Sequence, residues 1–114
     1  MNKEVSYGLE INNEVIIKMA SVAVLEIEGV AGLVNKTTDI KEVFSKTGEA
    51  RAIKVTDEGG VLTLDIYISV INGCDVRKVA EEVQVNVKSK LQNMTGSVIE
   101  KVNVIIADVV FNED

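Results

Sequence analysis

From Val61 to Ile71 apolar and polar side chains alternate without a break: Leu62, Leu64, Ile66, Ile68 and Val70 fall on one side, and Thr63, Asp65, Tyr67 and Ser69 on the other. A period of two belongs to a β-strand with one covered face and one more polar face. Such a strand cannot stand alone, so the rest of the chain must supply neighbours for its edges and a layer for its apolar side. Upstream, Ile53 and Val55 alternate with Lys54 and Thr56 and lead into Asp57-Glu58-Gly59-Gly60, which predicts a hairpin into the long strand. Downstream, Val98 to Phe111 reads as a further strand, with a bulge expected near Ala107-Asp108 where the alternation shifts. Two short strands complete the expected sheet: Val5 to Ile11, and one that follows the chain reversal between Gly29 and Gly32.

The covering layer comes from two helical patterns. The later one begins after Asn72-Gly73, with Asp75 as cap, and repeats Val76, Val79, Ala80, Val83, Val87 and Leu91 at helical spacing up to Met94, before Thr95-Gly96 ends it. Arg77, Lys78, Glu81, Glu82, Lys88 and Lys90 give it an ordinary solvated side. The earlier one, expected over Asn13 to Glu28 with Asn12 as cap, is unusual, since its polar positions Glu14, Lys18, Ser21 and Glu28 occupy one narrow stripe. Ile16, Met19, Ala20, Ala23 and Ile27 suffice to cover a sheet. Val15, Ile17 and Val24 are then left toward the flank, either as an apolar contact surface for a second copy or another protein or as a patch that the Asn35 to Arg51 segment folds back to cover within the monomer.

The element order is therefore β-α-β-β-β-α-β, an α/β (α+β) two-layer sandwich with a mixed sheet and both helices on one face. At 114 residues the chain reads as a single domain over 1–114, with its core over about 7–111. Asn35 to Arg51 has no clear period and reads as a long variable loop.

Composition narrows the chemistry. There is no histidine, tryptophan or proline, and one cysteine, so the usual proton shuttle, the commonest metal ligand and paired thiolates are missing. Neither a phosphate-binding glycine loop nor a zinc-protease signature occurs, and no cofactor, metal or catalytic residue is assigned. Glu26 and Glu28 diverge on a helix end, Asp57-Glu58 suits an exposed turn, Gln84 and Asn103 suit the edge of a core, and Cys74 suits a partly buried structural thiol. A formal net charge of −6 opposes a nucleic-acid or anionic-lipid partner. The longest uncharged apolar run, Met19 to Leu25, is far short of the ~20 residues that span a bilayer, so no direct membrane insertion is expected. With no apolar leader at Met1-Asn2-Lys3-Glu4, the expected location is the cytoplasm. Tyr67, on the polar side of the long strand, suits cross-strand packing and is also a candidate anchor for a protein partner.

Several segments, in order, carry a resemblance. Glu14-Val15-Ile16 with Ala20 and Ala23, and Glu26-Ile27-Glu28-Gly29-Val30-Ala31-Gly32-Leu33, resemble the opening of the bacterial alkaline shock protein family, also called the Asp/Gls envelope stress response family. Asp65-Ile66-Tyr67-Ile68-Ser69-Val70 with Gly73, Val79-Ala80 with Val83-Gln84 and Val87, Asn93-Met94-Thr95-Gly96, and Val102-Asn103-Val104 ending in Val109 and Phe111 are similar to its later blocks. The resemblance implies a non-enzymatic, cytoplasmic stress protein of chiefly Gram-positive bacteria. It would act through protein contacts as an oligomeric scaffold and reach the membrane through an anchored partner. A regulatory subunit of a lipid-synthesis enzyme, or a binder of an acyl-type ligand, is the alternative the resemblance leaves open.

Overall fold

A computed structural model describes residues 12–35 and 52–111. The expected strand Val5 to Ile11 and all but Asn35 of the expected loop Asn35 to Arg51 lie outside the described residues. The described elements are α1 (Asn13–Leu25), β1 (Val30–Leu33), β2 (Ile53–Glu58), β3 (Val61–Ile71), α2 (Val76–Thr95) and β4 (Val98–Val110). Both helices cover one face of a four-stranded mixed sheet, the two-layer arrangement that the alternation demanded.

β3 organises the sheet. β4 runs parallel to it along its whole length, from Val61↔Val98 to Ile71↔Val110, after the crossover through α2. β2 pairs antiparallel with the first half of β3 and β1 antiparallel with its last residues. A strand has only two edges, so β1 and β2 share the edge that β4 leaves free. They are two pieces of one column. The chain leaves this column at Val34, whose N–H donates to the Tyr67 carbonyl at 2.9 Å, and rejoins it at Ile53, opposite Ile66. The sequence presents these as two unrelated short strands; their collinearity shows only once β3 is in place.

The β2–β3 hairpin is tighter than expected. Glu58 still pairs with Val61, and the turn shrinks to Gly59-Gly60. Both glycines have positive φ, 64° and 90°, the conformation that a two-residue connection between twisted strands requires. Asp57 Oδ1 accepts the Gly60 N–H at 2.9 Å and fixes the turn. The bulge expected in β4 is present: the register skips between Ile106 and Asp108.

The core is aliphatic. Leu62, Leu64, Ile66, Ile68 and Val70 are buried under Ile16, Ala20, Ala23 and Val24 of α1 and Val79, Val83, Val87 and Leu91 of α2. Ala20 and Ala23 let the helices approach closely enough for Asn86 Nδ2 to donate to the Ala23 carbonyl at 2.8 Å. Gln84 does the same on the other flank of α2, donating to the Val102 carbonyl of β4 at 2.9 Å.

α1 stops at Leu25, three residues short of the expected Glu28. The cause lies just beyond it. Ile27 N–H donates to the Val24 carbonyl and Val30 N–H to the Ile27 carbonyl, both at 3.2 Å, so the chain tightens into turns that bring Gly29 beneath α2. Gly29 has φ 102°, and a Cβ there would lie 2.7 Å from Val79 Cγ2. Only glycine fits that approach, and its carbonyl then accepts the Ile71 N–H at 2.9 Å to start β1.

Candidate interaction surfaces

α1 is entered through Asn12, whose Oδ1 accepts the Val15 N–H at 3.0 Å, and Glu14 sits in its first turn. The side chains that this helix exposes differ from those the sequence suggests. Ser21, expected outside, is buried, and its hydroxyl donates to the Ile17 carbonyl at 2.8 Å. That bond satisfies the group within the helix, so burying it costs little. Moving Ser21 inside turns the solvent stripe to Glu14, Lys18, Val22 and Leu25, spaced by four, four and three. Val24 is a correction of the same kind: it is 0% exposed and part of the core, not a flank residue. Val15 and Ile17 are half-buried. The exposed aliphatics are instead Val22, at 59%, and Leu25, at 54%, one helical turn apart. A sequence signal existed: a mid-helix serine can bond its own i−4 carbonyl, which makes Ser21 a poor marker of the outside.

Tyr67 lies half-buried on the face of the sheet opposite the helices, beside Ile105 in register. That face also holds Asp65, which accepts from Asn103 Nδ2 at 2.7 Å. Asn103 is thus a satisfied cross-strand polar group, as its position in the sequence suggested.

Between the helices, Glu26 closes α1 onto α2. Its carboxylate accepts from Asn86 Nδ2 and Lys90 Nζ, each at 3.0 Å. The Asn86 hydrogen bond and then the Lys90 ammonium hold the Glu26 carboxyl below the usual carboxylate value. Asn86 therefore binds two acceptors at once, the Ala23 carbonyl of α1 and the carboxylate of Glu26 just past its end, a tie that the sequence did not reveal. Beside it a shallow groove of about 470 Å³ is lined by Ile27, Glu82, Val85 and Ser89 among others. A neighbouring hollow runs past Gly29 and Cys74, where the thiol is half-buried. Among the described residues no three potential ligands converge on a metal position, and no described helix is long and apolar enough to cross a membrane. Among the described residues, exposed aliphatic side chains stand on both helices and at strand ends.

The sequence model of the alkaline shock protein 23 family, described as having a cell envelope-related function, matches residues 1–111, and the chain belongs to that family. It is 35% identical over 105 residues to the uncharacterized protein YqhY of Bacillus subtilis, covering 91% of this chain and 78% of that one. It is 31% identical over 107 residues to the uncharacterized protein YloU of the same organism, covering 90% and 89%. Among solved structures, a copper form of the MamM CTD superposes with a TM-score of 0.59 at 17% identity, over 89% of this chain and 87% of that one. At that identity the likeness is one of fold alone.

Proposed function

We propose that this chain is a non-enzymatic interaction protein of the envelope stress response that associates with itself through the exposed stripe of α1. It works in the cytoplasm and reaches the membrane through an anchored protein partner. The observation that carries this reading is the pair Val22 and Leu25, large aliphatics more than half exposed on a helix whose other apolar side chains are inside or half-buried. Burying a Val or Leu side chain contributes about 1.5–3 kcal/mol, and a two-fold contact doubles every residue, although lost rigid-body freedom absorbs much of the gain. Glu14 and Lys18 lie on the same stripe, one of each sign, so two copies meeting there can pair charges instead of opposing them. Membership of a family with an envelope-related function gives the setting.

Sedimentation velocity across micromolar concentrations tests the self-association. The native chain should grow in mass with concentration, and the Val22→Ser/Leu25→Ser variant should remain a folded monomer. A native monomer throughout would overturn the reading. Recovery of a tagged copy from its own cells separates the two partner classes, since a membrane-anchored protein and a soluble lipid-synthesis enzyme are different catches.

A further inference from the structure

Asn72 is the only asparagine of the chain that a glycine follows. The pair makes the turn from β3 toward α2, closed by the Cys74 N–H, which donates to the Ile71 carbonyl at 3.1 Å. Gly73 stands third in that turn with φ 96°, and Asn72 before it has no positive φ, the signature of a type II turn. The turn is anchored on both sides and open in the middle. Asn72 N–H donates to the Val110 carbonyl at 2.8 Å, and beyond the turn Asp75 Oδ1 accepts the Lys78 N–H at 3.3 Å. Between these anchors, and among the described residues, neither the Asn72 side-chain amide nor the Gly73 N–H takes part in a hydrogen bond. Both residues are exposed, and apart from the chain neighbours nothing lies within 4 Å of the place that a Cβ would take on Gly73. Asn86 and Asn103 differ on every count, since hydrogen bonds hold their side-chain amides and a branched valine follows each.

We infer that Asn72 is a site of spontaneous backbone modification, with water as the only co-reactant. The Gly73 nitrogen gives its proton to solvent base and attacks Asn72 Cγ. The bond from nitrogen to Cγ closes a five-membered imide, the Cγ–Nδ2 bond breaks, and ammonia leaves with a proton taken from water. Water then opens the ring at one of its two carbonyls. Opening at Cγ leaves aspartate at position 72, and opening at the main-chain carbonyl leaves isoaspartate, in which the chain runs on through Cβ and Cγ. The net change replaces NH2 by OH and involves no oxidant or reductant. To bring the nitrogen to Cγ, the peptide plane between Asn72 and Gly73 must rotate. Glycine permits that rotation, and the plane has no hydrogen bond to give up through its N–H. The isoaspartate form puts an extra atom into the main chain between Ile71 and Cys74, so the bond that closes the turn should be lost.

The test keeps the full native chain in mildly alkaline buffer without denaturant, digests samples with trypsin and follows the fragment Val55–Arg77, which contains the pair, by mass spectrometry. That fragment should gain the mass difference between OH and NH2 and split into two chromatographic species, faster as the buffer is made more alkaline. The fragment that carries Asn86 should stay unchanged. Asn72→Gln, where ring closure is harder, and Asn72→Ser, which has no carbonyl to attack, should both abolish the gain. Both substitutions change an exposed side chain, and circular dichroism checks the fold. In the isoaspartate species, hydrogen exchange at the Cys74 amide should be faster than in the native chain. A fragment that converts in urea and not in the native chain would show that the turn protects the bond, and would overturn the inference. A gain that persists in Asn72→Ser would place the chemistry elsewhere and overturn it equally. Unchanged exchange at Cys74 would contradict the loosening of the turn. None of these readouts depends on association through α1.

Discussion

The two helices cover the same face of the same sheet, yet one was written plainly in the sequence and the other was not. α2 buries Val79, Val83, Val87 and Leu91, a row with a constant step of four, and charged residues crowd its opposite side. Its pattern contrasts strongly, so its orientation follows from the sequence. α1 has apolar residues at most of its positions, and several rotations about its axis would each put an aliphatic row inside. What decides between them is Ser21, which can be buried because its hydroxyl bonds within the helix. A helix with too many apolar residues is thus oriented by its few polar ones, and a serine is a weak guide among them.

The largest effect expected from this contrast comes from Val24→Glu. A charge placed at a 0% exposed site with no partner should cost more than about 4 kcal/mol, and a cooperative denaturant transition should be lost or greatly lowered. Leu91→Ala, at the end of the α2 row, should cost about 2–5 kcal/mol by urea titration. Ile66→Ala at the centre of β3 belongs to the same class, while Thr63→Ala on the opposite face should be mild. Equal losses at Ile66 and Thr63 would show that the helices do not cover the face assigned here.

Gly29→Ala should cost about 1–3 kcal/mol, because its backbone has positive φ and the new methyl group would press on Val79. That change acts where α1 meets α2, so it tests how rigidly one helix fixes the other. The smallest expected effect is at Glu26. Its carboxyl value is lowered in the fold, so its contribution is present above the ordinary carboxylate range and is lost as pH falls through the lowered value. Glu26→Gln should therefore melt slightly below the native chain at neutral pH, and the gap should close as pH falls below the ordinary carboxylate range and through the lowered value. Being exposed, this tie is screened, and high salt should narrow the gap as well.

Much of the sheet was legible. The alternation over Val61 to Ile71, the Asp75 cap, the stop at Thr95-Gly96 and the bulge before Asp108 are local events encoded by neighbouring residues. Features that depend on distant parts of the chain were not. The merging of β1 and β2 into one column depends on β3, and the early end of α1 depends on Val79 above Gly29. The candidate surfaces divide in the same way. An apolar patch on α1 was legible from residue counts, but its members were not, since Val22 and Leu25 take the place assigned to Val24. The exposure of Ile71 and Phe111 escaped the sequence altogether, because both read as ordinary strand residues.

Two residues of α1 separated only by Ala23 thus differ in kind: Val24 is part of the core, and Val22 is proposed to make contacts between copies. Circular dichroism combined with light scattering on Val22→Glu and Val24→Glu, side by side with the native chain, tests this difference most directly. The native chain should associate, Val22→Glu should be a folded monomer, and Val24→Glu should be unfolded. A Val24→Glu variant that stays folded, or a Val22→Glu variant that associates as the native chain does, would contradict it.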